Sequence, residues 1–172
     1  YTSTPIYKEG KLNGAVVVFN DISERKKAEE KILIERNKAR QYFETAGVVM
    51  IVLNSKGNIL QINQRGCEVL GYSKNEIIGK NWIDNFIPEI QRIEIKEFFE
   101  KSITGKVKSI ESYENFIVNK KGELRLIAWN NKLLKNDKQK IIGALSSGED
   151  ITDKKKAEEV IKNANRVYAV LS

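Results

Sequence analysis

The chain has 172 residues, of which 41% are hydrophobic, and it carries a formal net charge of +7 with one cysteine and no histidine. This length allows one complete domain and part of another, and the single cysteine excludes a disulfide framework and fits a reducing compartment. Because no stretch approaches the roughly 20 apolar residues of a membrane span and no signal peptide pattern opens the chain, we expect a cytoplasmic segment without membrane contact.

The positive charge raises the question of nucleic-acid binding. Much of it lies in residues 25–40 and 154–156, next to or interleaved with glutamate, which is typical of a solvated helix face. No zinc-finger spacing, RNP-like aromatic pattern or helix-turn-helix accompanies it. We therefore expect no nucleic-acid contact, and salt-dependent binding to generic DNA is kept as an alternative.

Residues 1–20 have the pattern of a β-hairpin. Two strand-like segments, residues 1–7 and 12–20, are joined by a polar turn that contains Gly10. They resemble the last hairpin of a preceding domain. Because a two-stranded hairpin is marginally stable alone, we expect it to pair with its own helix, the second domain or a neighbouring chain.

One sequence segment occurs twice in the chain. Residues 21–32 read DISERKKAEEKI and residues 150–161 read DITDKKKAEEVI, at an offset of 129 residues, and the match extends upstream to Gly14 and Gly143. The repeat predicts that the chain is part of a tandem array.

Each copy of the repeat has the residues of a helix start. Asp21 or Ser23 in the first copy, and Asp150 or Thr152 in the second, can accept hydrogen bonds from free backbone N–H groups at a helix N-terminus. We expect linker helices over residues 21–46 and 151–172.

Both linker helices carry a heptad-like pattern. Residues of the predicted seam recur at alternating spacings of four and three, namely Ala28, Ile32, Glu35, Ala39, Tyr42 and Ala46, and then Ala157, Ile161, Ala164, Tyr168 and Leu171. This spacing is typical of a coiled-coil seam, although Glu35 interrupts it. It favours a homodimer through the linker helices; the alternative is an amphipathic helix that lies on its own domain.

Between the linkers, residues 47–150 predict one α+β domain. Apolar, β-rich segments predict strands at residues 48–53, 59–62, 107–118, 123–134 and 140–149. Helices fall between the second and third strands, and this order indicates an antiparallel sheet with helices on one face.

The helical part is divided by turn and capping residues. Gly71 can end a first short helix, Ser73 with Glu76 can form a capping box for a second, and Gly79 can end that one. A longer helix is expected over residues 90–104.

Residues 63–80 read NQRGCEVLGYSKNEIIGK, which resembles the signature of PAS domains. The later hairpins, with Gly122 in a turn and Gly143 upstream of Asp150, resemble the C-terminal PAC part. The resemblance covers about residues 41–150 and the linkers. It implies the PAS fold, a five-stranded antiparallel sheet with helices on one face.

The resemblance further implies a non-catalytic sensory module of a multidomain signalling protein, most often a sensor histidine kinase of a two-component system. In that family a ligand lies between the sheet and the helices, and the signal leaves through an Asp-Ile-Thr junction into a dimeric helix. Asp150 and Thr152 match this junction, and Asp21 and Ser23 match that of a preceding module. A ligand-free dimerisation or spacer module is the alternative.

The residue inventory limits the chemistry. Without histidine there is no phosphoacceptor, no histidine-ligated haem and no histidine zinc site, so we expect no catalytic residue and no metal in this segment. Cys67 lacks the Asn-Cys-Arg-Phe-Leu-Gln pattern of the family's flavin photosensors, since Glu68 follows it, and we expect it to be structural. No cofactor is expected.

Aromatic residues are the candidates for the interior of the domain. They are Trp82, Phe86, Phe98, Phe116 and Trp129. Side chains of this size either line a ligand pocket or fill it. We expect a small or closed cavity, with a possible small-molecule ligand as the alternative.

Overall fold

A β-hairpin opens the N-terminal unit, residues 1–41. The computed structural model describes residues 2–18, 20–106 and 112–171, with the backbone alone at residues 18 and 167–171. Strands β1 (Thr2–Lys8) and β2 (Lys11–Val18) pair antiparallel. Glu9 and Gly10 between them have φ values of 51° and 76°, as in the type I′ turns whose twist matches that of hairpin strands. The predicted hairpin is confirmed, while residues 1 and 19 of the expected strands lie outside the described residues.

Helix α1 (Ser23–Thr45) follows the hairpin. It begins where the backbone N–H of Ser23 donates to Oδ1 of Asp21 at 2.9 Å. None of its residues is buried, and Ile32 and Tyr42 of the predicted seam are 68% and 71% exposed. Ile32 and Tyr42 are therefore open to solvent, and the pairing of the seam stays a prediction.

The second unit, residues 42–172, is built on a five-stranded antiparallel sheet. Its strands are β3 (Val49–Asn54), β4 (Ile59–Ile62), β5 (Ser112–Val118), β6 (Leu124–Lys135) and β7 (Ile141–Asp150), in the spatial order β4-β3-β7-β6-β5. The first and last of these strands, β3 and β7, are neighbours in the sheet. The predicted antiparallel sheet is confirmed, and residues 107–111 of the third expected strand lie outside the described residues.

Helices join β4 to β5 and follow β7. They are α2 (Gln64–Leu70), α3 (Lys74–Ile77), α4 (Trp82–Phe86) and α5 (Glu89–Ile103) in the crossover, and α6 (Thr152–Leu171) after the sheet. In α6, residues 153–166 are all exposed. Among the described residues, no helix is both long enough and apolar enough to cross a membrane.

Local sequence signals explain where these short helices begin and end. Gly71 adopts a left-handed conformation with φ of 73° and ends α2. The N–H of Ser73 donates to Oε2 of Glu76 at 2.8 Å in the capping box that begins α3. The predicted division into two short helices is confirmed. Helix α4 was not predicted separately; Asn81 caps it by accepting the N–H of Ile83 at 3.0 Å.

The hydrophobic core lies between one face of the sheet and helices α2 to α5. Side chains alternate along a strand, so Val49, Ile51 and Leu53 of β3 all point inward and are 5% exposed or less. The helical side contributes Leu70, Ile77, Trp82, Ile83, Phe86 and Ile87 to the same cluster. These residues fix the crossover helices over the sheet.

Candidate ligand cavity and signal junction

A buried asparagine joins the first crossover helix to the sheet. Asn63 is the N-cap of α2, and its Oδ1 accepts the N–H groups of Met50 and Gly66, both at 2.9 Å. Its Nδ2 donates to the carbonyl of Val48 at 2.8 Å. Gly66 is required here because a Cβ would lie 2.5 Å from Cγ1 of Ile62. Both the oxygen and the nitrogen of the Asn63 amide are therefore hydrogen-bonded, and these bonds fix α2 against β3.

A cavity of about 300 Å³ lies between the sheet and helices α4 and α5. The sheet side consists of Ile51, Leu53, Tyr113, Asn115, Trp129, Asn131, Leu133, Ala144 and Ser146, and the helical side of Trp82, Ile83, Ile87, Glu94, Ile95, Glu97, Phe98, Phe99, Lys101 and Ser102. This volume is at the lower end of the range of small-molecule pockets, roughly 300 to 1,000 Å³. The aromatic residues thus line a small space without filling it.

Strand pairing places polar side chains on the sheet wall of this cavity. Asn131 of β6 is opposite Ser146 of β7, which is in turn opposite Ile51 of β3. Asn115 of β5 is 4% exposed, and its Nδ2 donates to the carbonyl of Phe116 at 2.8 Å. These groups are neutral and stand within a mainly apolar wall, which is the composition of a site that orients a small molecule.

The charged lining residues all belong to α5. Glu94, Glu97 and Lys101 are exposed on the helix, and Nζ of Lys101 lies 3.3 Å from Oε2 of Glu97. Across the cavity, burial and then the nearby Glu94 carboxylate raise the pKa of Tyr113. The phenol is therefore neutral at physiological pH, so the interior wall carries no formal charge among the described residues.

Both tryptophans of the chain line the cavity. The ring centroids of Trp82 and Trp129 are 5.6 Å apart in an edge-to-face arrangement. The Trp129 indole lies over Gly148 of β7, where a Cβ would be 2.6 Å from Cε3 of the ring. Glycine at this position thus allows Trp129 to approach the strand, and tryptophan fluorescence reports on the cavity wall.

Three of the five predicted cavity residues lie at the cavity: Trp82, Phe98 and Trp129. Phe86 is fully buried but lies behind Trp82, with ring centroids 5.3 Å apart, and does not line the space. Phe116 is 38% exposed, because its neighbours in β5 point inward and side chains alternate. For Phe86 and Phe116 the expectation is corrected.

The sequence interpretation missed the polar lining residues Ser102, Asn115, Asn131 and Ser146. Strand alternation could have identified one of them, because Asn131 lies two residues after the predicted lining residue Trp129 and so shares its face. Helix spacing could have identified Ser102, which lies four residues after Phe98.

The C-terminal junction is bonded to the neighbouring strand. The N–H of Ile151 donates to the carbonyl of Leu126 at 2.9 Å, and the N–H of Leu126 donates to Oγ1 of Thr152 at 2.8 Å. The hydroxyl of Thr152 donates in turn to Oδ1 of Asp150 at 2.6 Å. The hydrogen bonding between β6 and β7 therefore continues into the first residue of α6.

A charged pair reinforces this junction. Nε and Nη2 of Arg125 both lie 2.7 Å from Oδ2 of Asp150, whose side chain is 5% exposed. Burial alone would raise the pKa of Asp150. Hydrogen bonds from Thr152 and Arg125 outweigh burial and hold the pKa below its ordinary value of 3.8. Asp150 is therefore a carboxylate at neutral pH.

The N-terminal junction shows the same local contact. The backbone N–H of Ser23 donates to Asp21, and hydrogen bonds from Ser23 lower the pKa of the Asp21 carboxyl. Asp21 is exposed. The four predicted junction residues thus lie at the starts of α1 and α6, and their role in signalling stays a prediction.

Cys67 lies on α2 and packs partly buried against the core. Burial raises the pKa of its thiol, which disfavours the reactive thiolate. Within residues 2–18, 20–106 and 112–171, no three His, Cys, Asp or Glu side chains come together in a way that could hold a metal ion.

A five-stranded antiparallel sheet with helices over one face and a small cavity between them defines a class of α+β domains with an interior pocket. Among known families, the model described as "PAS fold" matches residues 37–151, which is more than half of the chain. The chain belongs to the PAS family and carries a PAS sensory domain.

Solved structures show the same fold. The PAS domain of a protein from Colwellia psychrerythraea is 22% identical with a TM-score of 0.60, over 71% of this chain and 98% of that one. A domain of a sensory box sensor histidine kinase/response regulator from Geobacter sulfurreducens is 16% identical with a TM-score of 0.56, over 69% and 96%. The PAS domain of the quorum-sensing receptor RpfR from Cronobacter turicensis, in complex with BDSF, is 26% identical with a TM-score of 0.53, over 62% and 96%.

Proposed function

We propose that this PAS domain is a non-catalytic regulatory module, which relays a ligand or conformational signal through its flanking helices to a histidine kinase output domain of the same protein. The observation that carries the proposal is the bonded junction, in which Arg125, Leu126 and Thr152 hold Asp150 and the start of α6. Histidine kinase neighbours with the same fold support the choice of output domain.

The cavity and the junction share two strands, and this gives the relay a physical path. Trp129 and Asn131 of β6 line the cavity, while Leu126 of the same strand bonds the junction. Ser146 of β7 lines the cavity, and β7 ends at Asp150. A ligand that shifts these strands would therefore change the geometry at the start of α6. A coupling free energy of about 1 to 3 kcal/mol would change output about 5- to 150-fold.

We further propose that the seams of α1 and α6 pair in a homodimer, so that the output domain is regulated through the relative arrangement of two helices. The apolar members Ile32 and Ile161 are 68% and 61% exposed. A short and imperfect seam is marginally stable, which lets a small coupling energy shift it between two arrangements. The structure of the RpfR PAS domain in complex with BDSF supports a small-molecule signal for the cavity.

Residues 1–20 are proposed to be the last hairpin of a preceding PAS domain. Gly14 corresponds to Gly143 at the offset of 129 residues. At Gly143 a Cβ would lie 2.1 Å from the carbonyl oxygen of Leu53, because β3 runs alongside, whereas at Gly14 no described atom lies within 4 Å. No described residue near Gly14 explains why this position is a glycine. This supports a strand of the preceding domain that runs beside Gly14, as β3 runs beside Gly143.

The relay is tested in the full-length parent protein by its output activity, with and without the stimulus. Asp150→Ala should leave the domain folded and abolish the response. Asp153→Ala is the matched control, because Asp153 is 82% exposed and lies 3.8 Å from Nη2 of Arg125, and it should respond normally. A normal response from Asp150→Ala would refute the relay, and equal loss in both variants would show that the specific bonds of Asp150 are not responsible.

A further inference from the structure

Ser102 lies in the cavity wall with an unsatisfied hydroxyl. It is on α5, is 4% exposed, and its Oγ makes no hydrogen bond to any residue that the structure describes. A hydroxyl buried without a partner costs about 1 to 3 kcal/mol. A serine in a helix can bond the carbonyl four residues earlier, and Ser102 does not use that option. Neither its donor nor its acceptor is used by any residue that the structure describes.

The charges around the cavity favour an uncharged molecule. Inside, the polar lining groups are the hydroxyls and amides of Ser102, Asn131 and Ser146 and their neutral neighbours. At the edge, Lys101 is paired with Glu97, and the Glu94 carboxylate adds negative charge. An anion would enter beside two carboxylates without a free cation among the described lining residues, and burying an unpaired charge is costly.

The volume limits the size of the molecule. An apolar cavity of about 150 Å³ holds benzene, so about 300 Å³ accommodates on the order of a dozen non-hydrogen atoms. We propose that the cavity binds a neutral, mainly apolar molecule of this size, whose one polar group hydrogen-bonds to Oγ of Ser102. The proposal rests on the proposed sensory function and names the class of its ligand.

Three probes of one shape test the proposal by calorimetry on the whole chain: 2-naphthol, which has a hydroxyl; 2-methylnaphthalene, which lacks it; and 2-naphthoate, which is charged. We expect 2-naphthol to bind most tightly and 2-naphthoate most weakly. Ser102→Ala should weaken 2-naphthol at least tenfold and leave 2-methylnaphthalene unchanged. Ser102→Cys, which keeps a weak donor, should lie between. Ser147 of β7 is the control position, because its side chain points away from the cavity. The Ser147→Ala variant should bind all three probes as the original chain does.

The same variants separate binding from folding. Ser102→Ala should melt at the same or a higher temperature, because it removes an unsatisfied buried hydroxyl. The proposal is overturned if 2-naphthoate binds most tightly, if Ser102→Ala leaves 2-naphthol unaffected, or if none of the probes binds. Each of these results leaves the relay through Asp150 intact, because the output assay of the parent protein uses its own stimulus.

Discussion

Arg125 and Asp150 are joined across neighbouring strands at the point where the sheet passes into α6. Nε and Nη2 of Arg125 lie 2.7 Å from the same carboxylate oxygen, while the other oxygen accepts the hydroxyl and the N–H of Thr152 at 2.6 and 3.0 Å. Both carboxylate oxygens are thus used. Charge-assisted bonds of this kind are about twice as strong as neutral ones, so the carboxylate of Asp150 connects strand, turn and helix.

Replacing this carboxylate should lower stability in a pH-dependent way. Asp150→Asn should cost about 1 to 3 kcal/mol at neutral pH. Because the folded-state pKa of Asp150 is below 3.8, its contribution is complete above that value and is lost as the pH falls below it. Urea unfolding should therefore show a difference between the two proteins that is constant from neutral pH to about 5 and shrinks below about 4. A difference that stays constant to the lowest pH at which the chain folds would contradict the assigned pKa.

Asn63 should be more costly to remove than an ordinary helix cap. Asn63→Ala leaves the N–H groups of Met50 and Gly66 without their acceptor in a buried site, and should cost about 3 kcal/mol or more. Ser73→Ala is the control, because Ser73 is the exposed N-cap of α3 and its removal should cost about 1 kcal/mol. Denaturant midpoints measure both, and equal losses would count against the proposed fixing of α2 on β3.

Gly148→Ala should displace the indole of Trp129. The new Cβ would lie 2.6 Å from the ring and from Cγ2 of Ile127, and overpacking of this kind costs about 1 to 3 kcal/mol. Tryptophan emission should shift, since both tryptophans line the cavity. Gly47→Ala, with no atom within 4 Å of the added carbon, should change stability by less than about 0.5 kcal/mol. An unchanged emission spectrum in Gly148→Ala would contradict the observed contact.

Gly14 tests the proposed preceding domain. Gly143→Ala should destabilise the second unit by at least about 2 kcal/mol, because its Cβ meets the backbone of β3. Gly14→Ala should be neutral in residues 1–172, and should cost a similar amount in a longer chain that includes the preceding domain. Thermal unfolding of the three variants and of the two unsubstituted chains measures this, and a neutral effect in the longer chain would argue against a strand beside Gly14.

Much of the fold could be predicted because its signals are local. Gly71 needs a left-handed conformation, and Ser73 with Glu76 forms a capping box that depends on four consecutive residues. The repeated junction could be located for the same reason, since Asp150 and Thr152 bond each other within three residues. Such features need no knowledge of the sheet.

The cavity wall could not be predicted in full because it depends on contacts between distant segments. Phe116 has the same chemistry as Phe98, yet the phase of β5 turns it outward. The partner of Asp150 is Arg125 from another strand, and no spacing rule selects it. Whether a strand residue faces the cavity depends on register, and one residue of slip reverses every side chain.

Asp150 is proposed to couple the domain to α6, and because coupling free energies are reciprocal, the effect is measurable from either side. The test uses two fusion proteins, in which the C-terminal end of α6 continues into a parallel dimeric coiled coil. The second fusion has two extra residues at the joint, which rotate α6 by about 200° relative to the coiled coil, so the two fusions hold α6 in two phases. Unfolding of the domain is followed by the fluorescence of Trp82 and Trp129. The free energy of unfolding should differ between the two phases by about 1 to 3 kcal/mol, and the difference should vanish with Asp150→Ala. Equal stability of the two phases, or a difference that survives Asp150→Ala, would contradict the coupling.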